Sequence, residues 1–337
     1  MTASMSRRSM IKRLAAGLVL LPASIGLPAQ SRAAEESSWQ SWITDGAVTS
    51  GVMGRIWSAE SHAFIEPSAL VDSLKDARFV LIGETHDNPA HHRLQAFLTG
   101  AVAPDRRPSV VMEMLTEDQA PAIAKFMTSP DRSAETFGKA VSWEKSGWPD
   151  YAIYRPIIEA ALKRNADIKA GLPGKQQTRA IGKDGLSALS EDQQKDLRLA
   201  ADLPEDLAAD LNKEIIASHC DLLPAGMIPN MMAVQRYRDA YLADALRRTP
   251  ADGPAILIAG DGHVRKDRGV PYYLEPSDGA AVTVSLVEID PERSEAEVLN
   301  EAREAKTADY IWFTPKIDRD DPCDALRKRF SDKKKDG

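Results

Sequence analysis

The chain has 337 residues, 43% hydrophobic and 28% charged, with a formal net charge of −7. This is ordinary composition for a soluble globular protein, with enough chain to bury a large core in one domain or two. The acidic balance repels phosphate backbones and disfavours nucleic-acid binding.

Residues 1–33 read as an export signal. SRRSMIK (6–12) precedes the apolar LAAGLVLL (14–21), and the small-residue site SRAA (31–34) follows. The apolar run is shorter than the roughly 20 residues that span a bilayer. Arg7 and Arg8, with Ser6 before them and Lys12 after, resemble a twin-arginine signal. That route carries folded proteins, often loaded with a cofactor, which favours a metal or haem. No cysteine stands near the cleavage site, so a periplasmic or extracellular protein without a lipid anchor is expected. Cleavage removes Arg7, Arg8, Lys12, Arg13 and Arg32 and no acid, taking the formal charge from −7 to −12. No other segment is suited to cross a membrane, so the mature protein is expected to carry no transmembrane segment.

A single domain is expected over 34–326. Residues 35–50 form a polar leader with Trp39 and Trp42, GRIWSAESHAFI (54–65) a small extended or hairpin element, and PSALVDSLKD (67–76) a helix with proline in its first turn. Five apolar runs then suit strands buried on both faces: ARFVLI from Ala77, SVVMEM from Ser109, ADIKA from Ala166, AILIA from Ala255 and AAVTVSLVEI from Ala280. Helical patterns lie between them. NPAHHRLQAFL (88–98) has Asn88 as N-cap and Pro89 at the first helical position, and TEDQ from Thr116 and SEDQ from Ser190 have capping-box spacing. The alternation predicts an α/β fold, a central mostly parallel sheet flanked by helices. A helical insertion is expected at about 187–248, packed on the sheet, and a basic, disordered tail at 327–337.

Two strand-like runs end alike, in Gly83-Glu84-Thr85-His86 and Gly260-Asp261-Gly262-His263. If the backbone stays extended, Glu84 shares a side with His86, and Asp261 with His263. A third run places Glu113 near its carboxyl end. Ligands of open parallel sheets bind there. Three acids and two histidines would then meet in one crevice, suited to Zn, Mn or Fe, or to acid–base work. A lone acid at a strand end is usually a cap or a solvated loop residue; the duplication is what gives the pattern weight.

His91 falls at the edge of the apolar stripe Ala90, Leu94, Phe97, Leu98 and Ala101, and His92 nearly opposite. Both are first-turn candidates for the site, against the bland reading of solvated histidines. The helix start also favours anions, such as haem propionates. WEKSGWPDYAIYRP from Trp143 gathers Trp143, Trp148, Tyr151 and Tyr154, either core packing or a flat-ligand platform with a tyrosinate ligand for haem iron. Tyr272 and Tyr273 form a second pair near His263, whereas Tyr237 and Tyr241, four apart on a helix, read as core. The chain lacks a Gly-x-Ser-x-Gly elbow, His-Glu-x-x-His, a dinucleotide glycine fingerprint and Cys-x-x-Cys-His, and GLPGK from Gly171 has the wrong spacing for a phosphate loop. For Cys220 and Cys323, a disulfide and two buried thiols both stay open.

Five pieces together resemble the ChaN-like haem-binding uptake family of the wider Tiki superfamily: GETHDNPAHHRLQ from Gly83, VMEM around Glu113, WPDYAIYRP from Trp148, GDGHVRKDRGVPYYL from Gly260 and YIWFTPKIDRDDPC from Tyr310. The likeness runs from about Gly54 to Cys323. It implies an α/β fold with a parallel sheet, and Glu84, His86, His91, His92, Glu113 and His263 match motif positions. Gly171 stands where the usual pattern has asparagine, and many relatives are lipoproteins. The resemblance implies a periplasmic haem-binding protein of iron uptake. Propionates would meet the helix starting near Asn88, or Arg93 and Arg265. Iron would be held by a tyrosine (Tyr151, Tyr154 or Tyr273) or a histidine. The superfamily also holds hydrolases with paired Gly-x-x-His motifs. The alternative is therefore a metal-dependent hydrolase in which Glu84, His86, Glu113 and His263 hold Zn or Mn and activate water. Whether the chain is an enzyme stays open, as does a homodimer sharing ligand.

Overall fold

The structure is a computed structural model that describes residues 51–328 apart from 291, 322 and 325. The expected signal at 1–33, the leader to residue 50 and the tail beyond Lys328 lie outside the described residues.

Ile56–Ser58 (β1) and Ala63–Ile65 (β2) form an antiparallel hairpin, and Pro67–Leu74 (α1) follows with proline in its first turn. Phe79–Glu84 (β3) leads into Pro89–Ala101 (α2), whose N-cap Asn88 accepts the Ala90 N–H, as the sequence predicts. Ser109–Thr116 (β4), Ala120–Met127 (α3), Ala134–Ala140 (α4) and Tyr151–Lys163 (α5) come next. After Asp167–Leu172 (β5) the chain is helical up to β6. It forms Lys175–Asp184 (α6), Glu191–Asp196 (α7, with Ser190 and Gln193 as its capping box), Glu205–Ser218 (α8) and Ile228–Arg247 (α9). Ala255–Gly260 (β6), the single turn Asp261–Val264 (α10), Ala281–Ile289 (β7), Glu295–Glu304 (α11) and Tyr310–Pro315 (β8) complete it.

Among the described residues eight strands form one sheet in the order β2-β1-β8-β7-β3-β6-β4-β5. β1 is antiparallel to its neighbours, and β8, β7, β3, β6, β4 and β5 run parallel. The fold is thus a mixed α/β one, with a mostly parallel sheet flanked by helices. β3 and β6 are buried along their whole length, which is why both read as unbroken apolar runs. Alternate residues serve opposite faces: Val80, Ile82, Ile256 and Ile258 join the core under α2 and α5, while Phe79, Leu81, Leu257 and Ala259 join the core under α6 and α9. Each of the Val, Ile, Leu and Phe side chains among these contributes roughly 1.5–3 kcal/mol by its burial.

Two local features aim the site. The pairing of β4 with β5 shifts register between Met112 and Thr116, a bulge that contains Glu113 and re-aims its side chain. Gly171 lies in β5 opposite that bulge, and a Cβ there would come within 2.7 Å of the Met112 carbonyl oxygen. Glycine thus stands where the backbone of β4 leaves a Cβ little room. Cys220 and Cys323 are joined in a disulfide that ties the end of α8 to the C-terminal segment.

Candidate functional site

β3, β4 and β6 carry Glu84, Glu113 and Gly260 to one edge, the carboxyl end of the sheet, where open parallel sheets place their ligands. Glu113 is the joint of the site. Its Oε2 accepts the Gly260 N–H at 2.8 Å and lies 3.9 Å from His86 Nε2, while its Oε1 lies 3.2 Å from His263 Nε2. The imidazoles of His86 and His263, far apart in sequence, thus share one carboxylate.

Each histidine has a second acid behind it. His86 Nδ1–H donates to Glu84 Oε1 at 2.9 Å. His263 Nδ1–H donates to Asp239 Oδ1 at 2.6 Å. Burial alone would lower the His263 pKa, but Glu113 and Asp239 together raise it to about 10, so the ring is an imidazolium at neutral pH. Burial likewise opposes ionisation of Glu113, and His263 followed by His86 overcomes it, holding the carboxyl at about 2. Glu84 is buried and would be raised by that, but His92, then His86, hold it well below the usual carboxylate range. For Asp239, burial outweighs the attraction of His263 and the carboxyl is raised.

The expected pairing of Asp261 with His263 does not occur. The chain turns into α10 directly at Asp261, so the extended backbone assumed for that motif is absent. Asp261 instead accepts the Ser285 hydroxyl at 2.5 Å on β7. After β3 the expected geometry holds, and Glu84 and His86 share a side.

His91 and His92 are both fully buried: α5 packs along α2 and sets Tyr154 on the His92 ring, while His91 lies against Thr85 and Thr314. His91 Nδ1 accepts the Thr85 N–H at 2.8 Å and its Nε2–H donates to Thr314 Oγ1 at 2.7 Å. Burial, against the pull of Glu84, lowers its pKa to about 4. His92 donates from Nε2 to the His86 carbonyl at 3.0 Å and from Nδ1 to Gln95 Oε1 at 3.1 Å. Glu84 Oε2 lies 2.9 Å from the same Nδ1, a charge contact rather than an aligned hydrogen bond. Burial opposes the charge, but Glu84 raises the His92 pKa. Both rings brace the turn that carries His86, and neither lines the cavity beyond β3 and β6.

The expected tyrosines are likewise packing groups. The Tyr154 hydroxyl donates between Glu84 Oε1 and the His86 carbonyl, its ring lies 3.9 Å from that of His92, and burial followed by Glu84 pushes its pKa far up. Tyr151 donates to the Ala134 carbonyl with its ring against Gly138. Tyr273 is buried beside Arg236, and burial first raises its pKa to about 12. Trp148 differs: it is partly exposed and meets the His86 ring edge to face at 4.8 Å. Tyr237 is core, as expected.

The expected anion sites are filled from within the chain. Asn88 caps α2, and Arg319 beside it pairs with Glu288 and Asp87. Arg265 is held by Asp267 and Asp210, and Arg93 lies exposed on α2 outside the cavity lining.

A cavity of about 600 Å³ opens beyond β3 and β6. His86, Gly260 and His263 form one wall; Ile215 on α8 and Val234 and Arg238 on α9 form the other. Asp239, His219 and Arg238 are the site residues that the sequence pattern did not single out. All three belong to the helical stretch between β5 and β6, whose polar positions read as solvent-facing. Among the described residues no group of three or more His, Cys, Asp or Glu is arranged to hold a metal ion. The four expected ligands, Glu84, His86, Glu113 and His263, turn their polar atoms on one another instead.

The family model described as haem-binding uptake, Tiki superfamily, ChaN matches residues 70–274. The chain is similar in structure to ChaN of Campylobacter jejuni, whose structure is described as showing cofacial haem binding. Identity is 20%, coverage is 78% of this chain and 97% of that chain, and the TM-score is 0.57. At that identity the likeness is one of fold. The type III effector HopBA1 also matches, at 13% identity over 74% of this chain and 92% of its own, with a TM-score of 0.36 that is too low to speak for a common fold. No curated protein matches the chain.

Proposed function

The chain belongs to the haem-binding uptake family of the Tiki superfamily, the ChaN family, and on that premise we propose that it is an exported, periplasmic haem-binding protein of iron uptake whose cavity beyond β3 and β6 takes the porphyrin. The observation that carries this reading is Arg238. Its side chain lines the cavity, its Nε is buried without a hydrogen-bond partner, and it forms no ion pair among the described residues. A buried guanidinium donor left unpaired costs about 1–3 kcal/mol or more until a partner arrives. A carboxylate is the partner that guanidinium geometry suits best.

Haem presents a flat apolar ring with two carboxylates; the cavity offers Ile215, Met231 and Val234 for the ring and Arg238 for a propionate, with the polar Glu84, Glu214, Gln235 and Asp261 also in its lining. Its volume of about 600 Å³ lies within the roughly 300–1,000 Å³ of small-molecule and cofactor sites. Trp148 and His86 extend the aromatic edge. The buried Glu113 with His86 and His263 fixes the floor. For export, SRRSMIK and the Cys220–Cys323 disulfide both support an oxidising compartment outside the cytoplasm.

The hydrolase reading would require Glu84, His86, Glu113 and His263 to release one another before binding an ion, and haem binding is preferred on that ground. Titration of haemin into the purified mature protein, with bound metals measured in parallel, tests the choice. A saturable Soret shift is expected, at least tenfold weaker in Arg238→Gln. Absence of any haem response, with stoichiometric zinc or manganese lost in His86→Ala and His263→Ala, would reverse it. Sedimentation of the haem-loaded protein reports whether two copies share the ligand.

A further inference from the structure

We propose that α8 is a hinged lid over the cavity and that the Cys220–Cys323 disulfide is its latch, so that reduction by a dithiol opens the cavity; that the opening gates haem rests on the haem reading above, while the lid itself does not. α8 supplies Glu214 and Ile215, and the turn after it His219, to the cavity wall. It is fastened less firmly than the elements beneath it. Leu211 and Ile215 join Leu203 in a small core of their own, packed on the first turns of α9 and separate from the two cores that flank the sheet. The boundary on the N-terminal side is sharp, with Leu199 in the core under α6 and α9 and Leu203 in the core of the lid. Residues 197–204 and 219–224, on either side of α8, carry no helix or strand. A segment with so little buried apolar contact opens at lower cost than the sheet it covers.

The seat of α8 is polar. Asp210 accepts from Arg265 and Arg268, and Glu214 accepts from Arg268. Arg268 is buried, yet its Nη1 has no hydrogen-bond partner, and neither has the buried Oδ1 of Asn212 on α8. Unpaired buried polar atoms oppose the closed position, because water would satisfy them on opening. Just past α8, Cys220 and Asp221 both have φ of +57°, a left-handed conformation that non-glycine residues keep only where their surroundings enforce it.

The disulfide supplies that enforcement. Cys323 follows Arg319, which is pinned to Asp87 after β3 and to Glu288 on β7. The bond therefore ties the end of α8 to a segment that is itself anchored on the sheet. Both cysteines are partly exposed, within reach of a thiol. A thiolate of the dithiol attacks one sulfur to form a mixed disulfide, and its second thiol then displaces the cysteine. Two electrons and two protons pass to the protein, Cys220 and Cys323 become thiols, and the reductant leaves as a disulfide.

Hydrogen exchange of the haem-free mature chain, oxidised and after dithiothreitol, tests the lid. Amides of 205–218 should exchange at least tenfold faster after reduction, with those of β3 and β6 unchanged. Equal protection of α8 in both states, or exchange that rises equally in β3 and β6, overturns the lid, the latter because the disulfide would then stabilise the fold as a whole. Haemin release to haem-free myoglobin tests the gate. It should be at least tenfold faster in Cys323→Ser than in wild type, and faster by a smaller factor in Asp210→Asn, which loosens the polar seat with the disulfide intact. If Cys323→Ser fails to fold, Asp210→Asn carries the test. Release at the wild-type rate in every folded variant overturns the gate. A wild-type protein that takes up no haem overturns the haem reading and the gating with it, and the exchange result alone then decides the lid.

Discussion

Strands β3 and β6 run into the same spacing of glycine, acid, one further residue and histidine, yet the two segments end differently. After β3, Glu84 stays in the strand and its carboxylate lies under His86, His92 and Tyr154. After β6 the chain turns into α10, Asp261 leaves for Ser285, and His263 takes Glu113 and Asp239 from other elements. The glycines tie the two segments together. A Cβ on Gly83 would stand 2.5 Å from Asp261 Oδ1 and Val264 Cγ2, and a Cβ on Gly260 would stand 2.9 Å from the His86 ring. Each segment seats the other in the space its own glycine leaves. The shared spacing therefore reports close packing between two strand ends, and the acids' roles follow from which neighbours they meet.

That comparison can be broken from several sides. The largest effect should come from Glu113→Ala, which removes the carboxylate serving both segments. It leaves the His263 imidazolium without one partner and the Gly260 N–H without its acceptor. Denaturant unfolding should show a loss of about 3–5 kcal/mol; a loss under about 1 kcal/mol would mean that the two histidines do not depend on a common acid.

Stability against pH should separate the two sides. His91 braces the β3 side, with a folded pKa of about 4 against an ordinary 6.5. A lowered histidine contributes stability that is present above 6.5 and lost as the pH falls toward 4, on the order of 3 kcal/mol. His263 on the β6 side is raised to about 10, so its contribution is complete below 6.5 and is lost as the pH rises through 10. His91→Gln should flatten the acid limb and leave the alkaline limb intact. Equal flattening of both limbs would merge what the structure separates.

Next come the glycines. Gly83→Ala drives a methyl into the half-buried Asp261, including its Cα at 3.0 Å, and should cost about 1–3 kcal/mol. Gly260→Ala meets only the end of a His86 side chain that is 37% exposed and can swing aside, so its cost should stay below about 1 kcal/mol. Thermal melts that rank the pair the other way would contradict the seating described here.

The fold was legible because its evidence is local. Five apolar runs became strands, and Asn88-Pro89 became the capped start of α2. The exceptions are also local. YIWFTP at 310–315 reads as a motif fragment in sequence, but its burial between β1 and β7 makes it a strand. The meeting of Glu84, Glu113, His86 and His263 was legible from the strand ends. Asp239, Arg238 and His219 were not, because helical periodicity does not say which polar face another element will cover. His92 shows the same effect, read as solvent-facing until α5 buries it. Tyr154 looked like a ligand by composition and is spent on Glu84.

The most direct measurement is an iron anomalous difference map from crystals of the haem-loaded protein. A single peak in the cavity between the β3 and β6 ends and α8–α9, with a propionate at Arg238, is the predicted result. A peak elsewhere, such as the groove beside Tyr241 and Arg248 or the surface at Tyr272, would contradict the placement of the ligand and the role given to the strand ends.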